Sequence, residues 1–135
     1  MEEIEQQKQQ ELFYRLSMFE QQMQQFQEQI GAVENGINEL GELSFGLDEI
    51  REGVGKEILA PLGKGIFVGA TVSSETLTVD VGGKNFVKKS IPETKEIIDE
   101  QIKKLTQIKK ELANSLEKLS EEMEKTLKEF KETGN

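Results

Sequence analysis

Apolar residues recur along the first third of the chain in steps of four and three, at Leu12, Leu16, Phe19, Met23, Phe26, Ile30, Val33, Ile37 and Leu40. This spacing keeps one edge of a helix against a partner helix only if the two supercoil with a left hand. A second seam returns near the C-terminus through Ile98, Ile102, Leu105, Leu112, Leu116, Leu119, Met123 and Phe130. The pattern predicts two long helices paired lengthwise, the first from about Glu2 to about Gly53 and the second opening after Ser90. Glu2, Glu3 and Glu5 suit the positive end of the first helix dipole. Ser90, Pro92 and Glu93 form a capped entry to the second, and Lys131 followed by Gly134 marks its end.

Two irregularities interrupt the seams. Beyond Leu40 the apolar series continues as Leu43, Leu47, Ile50 and Val54, and the repeated three-residue step from Leu40 to Leu43 predicts a slip of register. Gly31, Gly36, Gly41 and Gly46 make the same stretch softer, each costing about 1 kcal/mol relative to Ala. Their spacing scatters them around the helix, and no function follows from it. In the second seam Lys109 and Thr126 stand at apolar positions, and neighbouring Ile108 and Leu127 are expected to cover these lapses.

Between the helices the helical period disappears, and Gly, Val and Thr dominate. Short extended runs are predicted at 57–61, 66–72, 76–81 and 86–88. Leu62-Gly63-Lys64-Gly65 and Gly82-Gly83-Lys84-Asn85 supply turns, and Ser73-Ser74-Glu75 is read as a polar hairpin connection. Thr76 to Val81 alternates polar and apolar residues, so one face of that strand is buried. Four strands make two hairpins, and two hairpins are marginal alone, so the missing strands are expected from other subunits. The fold class is α+β, a long antiparallel coiled-coil hairpin with two β-hairpins at its base. It forms one structural domain, divided into helix 1–54, β insert 55–90 and helix 91–135.

Composition narrows the chemistry. In 135 residues, 35% are hydrophobic and 32% charged, which suits an elongated shape better than a compact globule. Cys and His both number 0, removing disulfides, a thiol nucleophile, the commonest zinc sites and the usual proton shuttle. No metal site and no cofactor are expected. A net charge of -9 opposes nucleic acid as a partner. No apolar run approaches the roughly 20 residues that span a bilayer, and the polar N-terminus does not read as a signal peptide, so no membrane is expected and a cytoplasmic location is. The Gly-Lys clusters at 63–65 and 82–84 lack P-loop spacing and open no helix, and Glu121, Glu122 and Glu124 lie on an exposed face. No catalytic constellation is present, and an enzyme is not expected.

The N-terminal cluster Leu12, Phe13, Tyr14, Leu16, Met18, Phe19, Met23 and Phe26 is denser than a seam requires. Placing Ile50 near Ile98 and pairing the helices outward at equal rise sets Phe130 beside Met18 and Phe19. Leu12, Phe13 and Leu16 are then expected to project past the partner helix as an apolar binding surface.

Helix, paired hairpins and helix in this length, with Glu57-Ile58-Leu59-Ala60-Pro61-Leu62-Gly63 leading the insert and Val79-Asp80-Val81-Gly82-Gly83 closing its second half, resembles the alpha-type subunits of the prefoldin family. The two hairpins distinguish this type from the beta type, which has one. The resemblance implies an archaeal-type hexamer of two alpha-type and four beta-type subunits, whose hairpins join in an intersubunit β-barrel. It also implies an ATP-independent chaperone whose coiled-coil tips hold unfolded client proteins and pass them to a group II chaperonin. Carried onto this sequence, the client surface is Leu12, Phe13, Leu16, Phe19 and Met23 with Met123, Leu127 and Phe130. Assembly uses Ile58, Leu59, Phe67, Val68, Val79 and Val81. Two alternatives stay open: a structural or adaptor coiled coil, and a gamma-type prefoldin that polymerises into filaments.

Overall fold

The computed structural model describes residues 2–133. Its elements run α1 (Glu2–Ile50), β1 (Glu57–Gly63), β2 (Ile66–Thr71), β3 (Leu77–Asp80), β4 (Phe86–Lys89) and α2 (Ile91–Thr133). The chain divides into two compact units. One combines α1 through Gly36 with α2 from Leu105 onward, and the other is Ile37–Lys104. The expected stop at Gly134 lies outside the described residues.

In the first unit the helices run antiparallel, since Glu34 pairs with Lys109 while Leu12, far earlier, shares a groove with Phe130. The half-buried positions of α1 step through Leu12, Leu16, Phe19, Met23, Phe26, Ile30 and Val33, with every outward neighbour but Gly31 exposed. The seam of α2 steps through half-buried Leu105, Lys109, Leu112 and Leu116, buried Leu119, and half-buried Met123, Thr126 and Phe130. Lys109 therefore occupies the seam itself. Ile108 is 43% exposed and does not cover it, contrary to the sequence expectation. The Lys109 stem lies along the seam while its ammonium reaches the Glu34 carboxylate at 3.1 Å. A charged residue at such a position favours one register at some cost in stability.

The second unit holds the best-buried cluster, Leu47, Ile91 and Ile98, with Leu40, Ile50, Ile102 and Leu77 of β3 packed around it. Lys95 of α2 also pairs with Asp48 of α1. The predicted register slip is absent. Ser44 is half-buried at the seam position and Leu43 is 50% exposed, so the steps run Leu40, Ser44, Leu47. Keeping the helix phase puts Ser44 in the seam and leaves one Leu in water. Only Gly36 of the four helical glycines abuts the partner helix, with Leu105 Cδ1 3.4 Å from where a Cβ would stand. At Gly31, Gly41 and Gly46 a Cβ meets nothing within 4 Å. Replacing any of these three by Ala is expected to stabilise the fold by about 0.5–1 kcal/mol. A thermal melt followed by circular dichroism checks this, and a lowered midpoint would refute it.

α1 ends at Ile50, before the expected Gly53. Glu52 takes φ 58° and its N–H donates to the Glu75 carboxylate, while Gly53 N–H donates to Ile50 O at 3.0 Å. A Cβ on Gly53 would lie 2.9 Å from that same carbonyl, so only glycine fits the turn. α2 opens as the capping pattern predicts, with Glu93 N–H donating to Ser90 Oγ at 3.2 Å. Ser90→Ala should cost about 1 kcal/mol, read as a lowered denaturant midpoint, and an unchanged midpoint would deny the cap its role.

The strands form two separate antiparallel hairpins, β1 with β2 and β3 with β4. Lys64 and Gly65, at φ 51° and 78°, form the two-residue turn of the first, with a register shift between Pro61 and Gly63. In the second, Gly82 N–H donates to Asp80 Oδ1 at 2.9 Å, an Asx turn. Residues 73–75 do not close a hairpin, since β2 and β3 are unpaired. They link the two hairpins, and Ser74 Oγ accepts from Thr76 N–H at 3.0 Å.

Candidate functional site

The strand registers sort the side chains of each hairpin by face. Directly opposed residues share a face, so Ile58, Ala60, Val68 and Ala70 lie on one side of the first hairpin and Leu59, Pro61, Phe67 and Gly69 on the other. Both faces are apolar, and both are open. Leu59 is 71% and Phe67 57% exposed, with Ile58 and Val68 exposed opposite them. The second hairpin differs. Leu77, Val79 and Val87 share one face with Lys89, and Leu77 and Val79 are half-buried there, while Thr78, Asp80 and Lys88 share the other face with Phe86, which is 62% exposed. Val81 is exposed just past β3.

Six large apolar residues of the first hairpin stand in water, namely Ile58, Leu59, Leu62, Ile66, Phe67 and Val68. A patch of this kind marks an interaction surface, and each unpaired strand edge offers a row of free backbone groups to another strand. Leu62 and Ile66 were not among the residues expected at an interface. Leu62 sits where the register shifts, and Ile66 borders the turn, so simple alternation assigns neither to a face.

The first unit carries the other candidate surface. Leu12, Leu16, Phe19 and Met23 of α1 and Met123, Leu127 and Phe130 of α2 are half-buried, all drawn into helix pairing. Phe13 alone of the expected client residues is open, at 73% exposure. The structure adds Tyr14, 68% exposed, and Met18, four positions on and on the same side of the helix. The density of the N-terminal cluster was the sequence signal for these two.

The expected offset between the helices is corrected here. Phe130 lines an open groove of ≈ 270 Å³ together with Leu12 and Arg15, rather than lying beside Met18 and Phe19. The α2 helix thus reaches nearer the start of α1 than equal pairing from Ile50 and Ile98 implied. Leu12 and Leu16 are flanked instead of projecting free. Arg15 Nη2 donates to Glu11 Oε1 at 3.1 Å on the groove wall, a solvated pair four residues apart.

Among the described residues no group of acidic side chains is placed to hold a metal ion. No described helix is long and apolar enough to cross a membrane.

Comparison with known proteins gives a consistent result. The family described as Prefoldin subunit matches residues 19–135. A curated relative, Prefoldin subunit alpha of Methanococcus maripaludis, is 32% identical over 104 residues, covering 76% of this chain and 70% of the relative. Among solved structures, a filamentous PFD from Methanocaldococcus jannaschii, determined by cryo-electron microscopy, superposes with a TM-score of 0.75. It shares 23% identity over 86% of this chain and 98% of that one, a likeness of fold.

Proposed function

The chain belongs to the prefoldin family, and on that premise we propose that it is an alpha-type subunit of an ATP-independent holdase acting in the cytoplasm. Prefoldin subunits are chaperone components that work in complexes with other prefoldin subunits, and they are not enzymes. The observation that carries the finer reading is the pairing of two distinct open apolar surfaces on one chain. The first hairpin, apolar on both faces, is the assembly surface, where strands of neighbouring subunits complete a β-barrel. Phe13, Tyr14 and Met18 lie outside the helix seam and form the client surface, with Leu12, Leu16, Phe19, Met23, Met123, Leu127 and Phe130 behind them.

Flexible Met beside aromatic rings suits partners of varied sequence. Burying one Leu or Phe is worth about 1.5 to 3 kcal/mol, and the costs of association offset several such contacts. Weak, multiple and reversible grips follow, as a holdase that passes its clients to a group II chaperonin requires.

The test is aggregation of a chemically denatured, unrelated protein, followed by light scattering without nucleotide. The chain co-expressed with a beta-type subunit should delay the rise in scattering, whereas an adaptor coiled coil would leave it unchanged. The filamentous structural neighbour gives weight to a second assembly mode. Native mass measurement separates the two: a complex of two alpha-type and four beta-type subunits supports the hexamer, and long homopolymers of the isolated chain support the filament.

A further inference from the structure

Beyond Met18 no large apolar residue stands exposed on α1 until Leu43 and Phe45. At 3.6 residues per turn, Leu43 lies roughly 75° from the centre of the seam set by Leu40, Ser44 and Leu47, and Phe45 lies roughly 125° from it. Leu43 therefore borders the seam, whereas Phe45, 67% exposed, stands on the outward face. Residues three and four positions away share that face, namely Gly41 and Glu42 before Phe45 and Asp48 and Glu49 after it. A Cβ on Gly41 would meet nothing within 4 Å, so the turn toward which the Phe45 side chain leans is bare.

The carboxylates around Phe45 are not equivalent. Asp48 is held by Lys95 of α2, whereas exposed Glu42 and Glu49 take part in none of the ion pairs formed among the described residues. These two stand roughly 10 Å apart along the helix, with Phe45 between them. From residue 16 to residue 50 α1 carries carboxylates and no positive charge, and the next cation along the chain, Arg51, follows the end of the helix. A purely apolar partner covering Phe45 would leave Glu42 and Glu49 uncompensated. A guanidinium answers both features, since it stacks on an aromatic face and forks to a carboxylate at its edge.

We propose that this face of α1 docks a basic segment of a partner polypeptide, one arginine of which stacks on Phe45 between Glu42 and Glu49. The surface belongs to the unit Ile37–Lys104, while Phe13, Tyr14 and Met18 belong to the other. It therefore adds a partner to the client and subunit contacts rather than restating either.

The test uses three labelled, unstructured Gly-Ser peptides that differ only in carrying two Arg, two Lys or two Gln. Each is titrated into the assembled complex by fluorescence anisotropy at low salt. The Arg peptide should bind roughly five- to tenfold tighter than the Gln peptide, with the Lys peptide between them. Phe45→Ser should weaken the Arg peptide about two- to fivefold, and Glu42→Gln with Glu49→Gln should do the same, the second effect disappearing at high salt. Circular dichroism should show unchanged helix content, because all three side chains are exposed. Equal binding of the Arg and Gln peptides, or Arg binding untouched by Phe45→Ser or by the paired Glu variant, would overturn the proposal. So would a loss of Arg binding in Phe13→Ser with none in Phe45→Ser, which would put the peptide at the client surface. Suppression of aggregation should survive Phe45→Ser, so this docking face and the client surface fail separately.

Discussion

Replacing Phe13, Tyr14 and Met18 together by Ser is expected to abolish suppression of aggregation while leaving helix content and assembly unchanged. All three side chains are exposed and lie outside the seam positions of α1, so their loss opens no buried cavity. Each contributes about 1.5 to 3 kcal/mol when fully buried against a client, and losing three such contacts weakens capture roughly tenfold or more even after the costs of ordering are counted. Deleting the chain before residue 20 should have the same effect on clients. It is the blunter test, because it also strips Leu12, Leu16 and Phe19 from the seam. Light scattering of a denatured model protein, with circular dichroism and native mass as controls, reads the result. Normal protection by the triple variant would move the client surface elsewhere.

A comparably large effect is expected in the β insert. Phe67→Glu and Val68→Glu place a carboxylate on opposite faces of the first hairpin. If both faces are covered in the assembly, each variant buries an unpaired charge, at a cost of about 3–5 kcal/mol, and association falls by at least about a hundredfold. Thr78→Glu, on the face of the second hairpin where three of the four residues are polar, should assemble normally. Native mass measurement distinguishes the three. An intact complex from Phe67→Glu or Val68→Glu would show that the corresponding face stays in water, and disruption by Thr78→Glu would deny the contrast between the hairpins.

Most of the fold was legible because heptad spacing and turn chemistry are local signals. The seams, the Ser90 cap and the turns at Lys64–Gly65 and Gly82–Lys84 follow from residues a few positions apart. What escaped was set by phase over longer distances. Ser44 occupies the seam and Leu43 does not, because the phase established by the apolar residues before and after it outweighs the hydrophobicity of one Leu. The same cause places Lys109 in the seam and leaves Ile108 outside it. The pairing at the far end was misjudged since equal rise was counted from Ile50 and Ile98, whereas within the first unit Phe130 shares a groove with Leu12.

The candidate surfaces were legible in kind more than in membership. Alternation along β1 and β2 identifies apolar strands, but only the observed register shows that Leu59 and Phe67 share one face while Ile58 and Val68 share the other. At the N-terminus, density of apolar residues signalled more than a seam. Which of them remain open depended on how far α2 extends, and the answer is Phe13, Tyr14 and Met18 rather than Leu12 and Leu16.

The most direct test of where clients are held is site-specific photo-crosslinking. A photoreactive phenylalanine analogue is placed at position 13, 67 or 86 of the assembled complex, which is then mixed with a denatured, labelled client and illuminated without nucleotide. The account predicts client adducts from position 13 and subunit adducts from position 67. Client adducts from position 67 or 86 with none from position 13 would contradict it.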